Sequence, residues 1–222
     1  STEILLNDIK LDASYDYPED IDPAVLKDPR KILLTGSTGF VGSHLLPELL
    51  EKTNADIYCL IRAENASHAL ERLKGVFLKY RIPWPEAHQH RIIPVTGDFC
   101  FPYMGMPADE YHTLANTIEV VYHSGGSVNY IQPYAMLKSI NVDGAQQIIR
   151  FATTAKLKYL VECSTLGIFS WGSSITGKTW MHENDDIDQN LPAICRDLNY
   201  IRSKWVAEKI LDKAKAKGLP VI

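Results

Sequence analysis

Very little in this sequence is concentrated in one place. No apolar run approaches the ~20 residues that cross a bilayer, so neither a membrane helix nor a membrane partner is expected. Lys and Arg form no cluster, and 23 basic against 27 acidic residues leave a formal charge of -4. That balance speaks against a nucleic-acid surface. Cysteine is scarce, 4 in 222 residues, and Cys59, Cys100, Cys163 and Cys195 form no CxxC pair. A disulfide framework and a thiolate metal site are therefore not indicated. Cys59 and Cys163 fall within apolar strand patterns, so the four read as reduced, mostly buried thiols of a cytoplasmic protein. His88 and His90 flank Gln89 in a proline-rich loop, and Asp185, Asp186 and Asp188 crowd an acidic one. Both are ordinary solvated compositions, and no metal is expected. No basic-then-apolar leader opens the chain, and a start at Ser1 rather than Met suggests a domain taken from something longer. There is no internal repeat beyond an alternation of strand and helix patterns.

What is present starts with that alternation. Ser1 to Arg30 is acidic and dotted with Pro18, Pro23 and Pro29, the composition of a lead-in or linker with a short helical turn near Pro23 to Lys27. Residues 31–222 then read as one α/β domain. Short apolar strands are expected at 31–35, 56–61, 91–95, 119–123 and 158–162, with a sixth opening at Leu219. Helices are expected from Phe40 to about Lys52, over 67–80, 107–117 and 134–156, and from Asn199 to Lys217 with Gly218 as its C-cap. Parallel strands with right-handed crossovers give a doubly wound sheet of order 3-2-1-4-5-6. Gly167 to Leu191, rich in Gly, Ser and Asp, suits a mobile flap.

The most informative stretch is KILLTGSTGFVGSHL, Lys31 to Leu45. A buried strand ends at Thr35, and Gly36, Gly39 and Gly42 follow in GxxGxxG spacing before an apolar helix. One glycine allows the tight turn, one allows backbone to approach a pyrophosphate, and one allows the helix to lie on the strand. The helix start offers unpaired N–H groups and a positive dipole end to an anion. Gly36, Ser37, Thr38, Gly39, Phe40, Val41 and Gly42 are the candidate dinucleotide cradle. Pro47 lies inside that helix and is expected to loosen its early turns without breaking it.

The strand ends add chemistry. Arg62 closes the second strand where NAD-binding relatives of such a fold carry an acid for the ribose hydroxyls. A guanidinium suits a 2′-phosphate, so NADPH is the expected cofactor. Arg72 either returns to the same phosphate or lies on a solvated helix face. Asp98, followed by Phe99, comes after the third strand, near the adenine in such folds or simply in a turn. Ser124 and Gly125 end the fourth strand, where small residues let backbone lie close to a cofactor or merely make a turn. Asn141 either holds strand backbone or a buried water near the site, or is a polar residue on a helix surface. Tyr200 and Lys204 are spaced YxxxK, on one helical face and about one turn apart. A free phenol titrates near ~10; a nearby ammonium and a nicotinamide's positive charge would lower it. Thr165, at the end of the fifth strand after Ser164, could donate a hydrogen bond to a carbonyl oxygen. These are the parts of a carbonyl reductase, with Thr165, Tyr200 and Lys204 as the catalytic candidates. Tyr200, Lys204 and Ser164 are also candidate cofactor contacts.

The TGxTGFxG loop, the strand-end Ser-Thr pair and the YxxxK helix resemble an extended short-chain dehydrogenase/reductase of Rossmann type. Tyr58 to Ala63 (YCLIRA) with Arg72-Leu73, His123 to Asn129 (HSGGSVN), Asn141 to Gly144 (NVDG) and Tyr200 to Trp205 (YIRSKW) are similar to thioester reductase domains. Those domains end nonribosomal peptide synthetases and carboxylic acid reductases, and fatty acyl-CoA reductases are their cousins. The resemblance covers Lys31 to Ile222. Two departures stand out: the family often has alanines where Gly125 and Gly126 stand, and its C-terminal substrate-binding portion is missing here. The resemblance implies reductive release by NADPH of an acyl or peptidyl thioester, carried on the phosphopantetheine arm of an upstream carrier domain. The product is an aldehyde, with an alcohol after a second reduction. It implies that Thr165 and Tyr200 stabilise the oxygen, that Ser164 is a possible stand-in for Thr165, and that Lys204 binds the nicotinamide ribose. Two other readings carry different expectations. A nucleotide-sugar epimerase or dehydratase would hold NAD tightly, against Arg62. A non-catalytic NADP-binding module need not keep Tyr200 and Lys204. Without its C-terminal portion the chain could also be a cofactor-binding piece that does not turn over.

Overall fold

A computed structural model describes residues 2–12, 14–15, 21–169 and 172–222. Five strands form one parallel sheet: β1 (Lys31–Thr35), β2 (Asp56–Ile61), β3 (Ile92–Thr96), β4 (Val120–His123) and β5 (Tyr159–Glu162), in the order β3-β2-β1-β4-β5. This is the doubly wound order read from the sequence. The expected sixth strand is reduced to one parallel bridge, Leu160 with Val221, flanked by backbone bonds from Leu160 N to Pro220 O and from Glu162 N to Ile222 O. It continues the order beside β5. In the centre, β1 is in register with β2 (Leu34 beside Cys59) and with β4 (Leu34 beside Tyr122). Covered on both faces, β1 must be apolar throughout: Ile32, Leu33 and Leu34 are fully buried.

The residues cluster into two compact units. The first holds the sheet and comprises Ser14–Gly125, Gln147–Cys163 and Ala214–Ile222. Its core joins Ile32, Leu34, Leu46, Leu50, Ile57, Leu73 and Phe77. The helix Phe40–Lys52 runs unbroken through Pro47. Arg91 closes its far end with guanidinium bonds to the carbonyls of Thr53 and Ala55, 3.0 Å each, and to that of Leu50. Lys158 precedes β5 and is fully buried. Its ammonium donates to the carbonyls of Thr154 and Lys156, 2.8 Å each, and lies 5.0 Å from the Phe151 ring centre. Burial, with Lys156 nearby, pulls its pKa down to about 7.

The second unit gathers Gly126–Gln146, Ser164–Lys213 and an N-terminal segment. Three features differ from the sequence expectations. The helical pattern over 134–156 is interrupted: Tyr134–Leu137 and Asp143–Thr153 are α-helical, with a π turn at Lys138–Val142 between them. The stretch expected as a flap carries short ordered pieces at Leu166–Ile168, Gly172–Thr176, Ile187–Asn190 and Leu191–Ile194. Ile187, Asn190 and Ile194 in it are buried, and the Trp205 indole donates to the Ile187 carbonyl at 3.1 Å. The lead-in opens with a helix, Thr2–Asp8, because Leu5 is buried and Tyr134 donates its phenol proton to Asp8 at 3.0 Å. Lys213 donates to the Ile9 carbonyl at 2.8 Å, which holds the same segment. None of the four cysteines is in a disulfide, and only Cys59 is buried; the others are half-exposed.

Candidate active site

In the sheet unit, the cradle is built by backbone packing. Gly36 has φ 71, in the left-handed region, and a Cβ there would lie 2.6 Å from the Gly125 nitrogen. A Cβ on Gly42 would lie 2.2 Å from the Gly36 carbonyl oxygen. The turn is stapled to the end of β4. Ser124 Oγ donates to the Thr35 carbonyl (2.7 Å), Gly125 N donates to Thr35 Oγ1 (3.2 Å), and Thr35 Oγ1 pairs with His123 Nδ1 (2.6 Å). Gly39 caps the helix with extended backbone and no side-chain cap, so the first N–H groups are left for an anion. Gly39, Phe40 and Val41 are exposed and Gly36 and Thr38 half-buried, whereas Ser37 and Gly42 are buried. Gly42 is packed against the Gly36 backbone. Ser37 Oγ has no hydrogen-bond partner. It lies near the Cys59 thiol, which burial holds up at about 12.

An open cleft of about 480 Å³ lies at the carboxyl ends of β2 and β3, where Arg62, Thr96, Asp98, Phe101, Met106 and Glu110 line it. The Arg72 guanidinium donates to the Arg62 carbonyl, so it buttresses the strand end. Asp98 both lines the cleft and makes a turn, accepting from Cys100 N at 3.0 Å. Phe99 stacks edge-on against His123, 4.9 Å between centres, and fills the space beside Gly125, where a Cβ would meet its ring at 2.5 Å. That ring explains glycine at a position where alanine is common in the resembling family.

In the other unit, Tyr200 and Lys204 lie one turn apart on the helix Asn199–Ala216, 9% and 6% exposed. A surface YxxxK pair would be solvated; this one is enclosed. Ser203, between them and fully buried, donates to the Tyr200 carbonyl at 2.7 Å. Asn141, in the π turn, donates to Ser203 Oγ (2.9 Å) and to the Ser127 carbonyl (3.0 Å), and accepts from Ser127 N (2.8 Å). Both its amide protons are used. It is a tie between the loop after β4 and the Tyr200 helix, not a surface residue and not a free cofactor ligand. π turns often mark such sites. Thr165 is half-buried and caps the turn Leu166–Ile168, its Oγ1 accepting from Gly167 N at 3.1 Å. That bond uses a lone pair and leaves the hydroxyl proton to donate. Gly167 packs on the Tyr200 helix: a Cβ there would lie 2.2 Å from Ile201 Cδ1. Ser164 is exposed. Thr35, His123, Ser127 and Ser203 stand inside the sequence motifs, but their roles as ties, like the packing role of Gly167, are not legible there because the partners are distant in sequence.

The NAD-binding family described as Male sterility protein matches residues 34–222. The chain belongs to that family. It is 41% identical over 209 residues to a linear gramicidin synthase component of Brevibacillus parabrevis, a match that covers 90% of this chain and 4% of that protein. It is 33% identical over 219 residues to aldehyde reductase lnaA of Aspergillus flavus, covering 98% of the chain and 21% of that protein. Its fold superposes on the terminal R domain of the myxalamid PKS-NRPS pathway with TM-score 0.87 at 35% identity, covering 99% of the chain and 54% of that structure. A nonribosomal peptide synthetase reductase domain from Mycobacterium tuberculosis gives TM-score 0.68 at 27% identity, covering 100% and 50%. The chain thus spans about half of these solved domains and a small part of the curated relatives. A nicotinamide cofactor, expected from the glycine loop, is what this NAD-binding family implies.

Proposed function

We propose that this chain is the cofactor-binding and proton-donating portion of an NADPH-dependent thioester reductase, which releases a carrier-bound acyl or peptidyl group as an aldehyde. The observation that carries the reading is the enclosed Tyr200–Lys204 face, tied through Ser203 and Asn141, in a chain similar to reductase domains of peptide synthetases. The unpaired first-turn N–H groups and the close glycine backbone fit a pyrophosphate, and the Arg62 cleft fits a phosphorylated adenosine. NADPH, when bound, supplies the hydride. Tyr200 supplies the proton to the carbonyl oxygen as negative charge develops there, and Lys204 favours the ionised phenol that remains. Thr165 donates a hydrogen bond to the same oxygen. Hydride and proton convert the thioester to a thiohemiacetal, whose C–S bond then breaks to give an aldehyde and the carrier's thiol. The expected partner is an upstream carrier domain with its phosphopantetheine arm, and four cysteines outside any disulfide suit a cytoplasmic setting. A further reduction to alcohol uses the same groups. The test is product analysis: the intact reductase, given an acyl-pantetheine thioester and NADPH, yields aldehyde and free thiol in equal amounts. Hydrolysis to the acid, or no reaction with any acyl thioester, removes the reading.

A further inference from the structure

The loop that follows β4 carries a residue with no assigned role. Tyr130 places its ring 5.6 Å from the Tyr200 ring, tilted at 58°, yet is itself 59% exposed. Its backbone is not free to wander. Asn129 Oδ1 accepts from Ile131 N (2.9 Å) and Gln132 N (3.0 Å), a local turn that presents Tyr130. Asn199, immediately before Tyr200, donates to the Gln132 carbonyl at 3.1 Å. Asn141 fixes Ser127 at the other side of the loop. The loop and the Tyr200 helix are thus joined at both flanks of the ring contact. Beside Tyr130, Val128 and Ile131 are 67% and 93% exposed, an apolar strip on a loop that is otherwise hydrogen-bonded.

We infer that Tyr130 is a positioning and specificity residue: its inner ring face holds the Tyr200 phenol in place, and its outer face is a wall for the acyl chain of the thioester. This rests on the thioester reductase reading. A tilted aromatic pair restricts ring rotation, and an exposed apolar strip next to a proton donor suits an aliphatic chain better than a sugar.

The test uses the intact reductase with acetyl- and octanoyl-pantetheine thioesters, comparing wild type with Tyr130→Ala, Tyr130→Phe and Tyr200→Phe. Tyr130→Ala is expected to lower kcat about 2- to 10-fold on both substrates, the worth of one aromatic pair. It is also expected to raise KM about tenfold for octanoyl and under about twofold for acetyl. Tyr130→Phe should restore both values, since the ring rather than the hydroxyl is used. An alanine variant with unchanged chain-length preference, or a phenylalanine variant as impaired as alanine, overturns the inference. Tyr200→Phe separates the two claims. If it stays active, the function reading fails; if it is inactive while Tyr130→Ala matches wild type, only the Tyr130 inference fails.

Discussion

Replacing Asn141 with alanine removes three hydrogen bonds at once, to Ser127 N, Ser127 O and Ser203 Oγ. The losses are not equal. Ser203 is fully buried but keeps its bond to the Tyr200 carbonyl, so it loses only an acceptor role. Ser127 is half-buried, and water reaches part of what it loses. Taking about 1 kcal/mol for each stranded group, against about 1–3 kcal/mol when water is fully excluded, and adding the hole left by the side chain, the variant should be destabilised by about 2–4 kcal/mol. With a urea slope near ~2–3 kcal/mol per M, the unfolding midpoint should fall by about 1 M. The Tyr200 helix would also lose its tie to the loop after β4, so turnover by the intact reductase should fall by about tenfold or more. Asn141→Asp is a sharper probe. The carboxylate keeps the acceptor for Ser127 N but turns an oxygen toward the Ser127 carbonyl. At neutral pH this variant should be no more stable than alanine, and it should gain stability as acid protonates the new group. Urea midpoints for the three proteins at two pH values decide the matter. An alanine variant within about 0.5 kcal/mol of wild type, or an aspartate variant as stable as wild type at neutral pH, would refute the network as drawn.

Three further outcomes follow from the packing and the charges. Gly125→Ala should weaken cofactor binding and stability, because the new methyl meets the Phe99 ring at 2.5 Å. Phe99→Leu should rescue it, and a double-mutant cycle by calorimetry reads the coupling; Gly36→Ala is the contrasting control that no side-chain change rescues, since its methyl meets backbone at φ 71. Lys158 has its pKa lowered to about 7 by burial, so between there and its ordinary 10.5 the unfolded chain holds the extra proton. Stability should therefore rise with pH across that window, by at most ~1.4 kcal/mol per unit, and Lys158→Met should flatten the rise in urea melts. Arg62→Ala should erase a preference for NADPH over NADH in titration calorimetry, whereas equal affinities in the wild-type protein would remove the 2′-phosphate role.

The sequence is most legible where a single residue type has a single physical use. Gly36 and Gly42 must be glycine because backbone atoms stand where a Cβ would go, and the strand before them must be apolar because both its faces are covered. Tyr200 and Lys204 are legible as a pair through helical period alone. Their enclosure is not, because residues distant in sequence supply it: Asn141 and Ser203 meet only in the fold. The π turn at Lys138–Val142 hides inside an unbroken helical pattern, since one residue more per turn changes no composition. The helix at Thr2–Asp8 is obscured by the acidic, proline-dotted sequence after it; its anchors, Tyr134 and Lys213, are far along the chain. The stretch after Gly167 looks loose because its turns are short, yet Ile187 receives the indole proton of Trp205.

The most direct measurement is a single-turnover experiment following NADPH oxidation by the intact reductase with an excess of acyl-pantetheine thioester. Wild type should consume one NADPH per aldehyde formed. Tyr200→Phe should bind NADPH normally and slow the oxidation by at least about a hundredfold, the usual worth of a positioned proton donor. Oxidation at the wild-type rate by that variant would contradict the assignment of Tyr200 as the proton source and, with it, the reductase mechanism drawn from this chain.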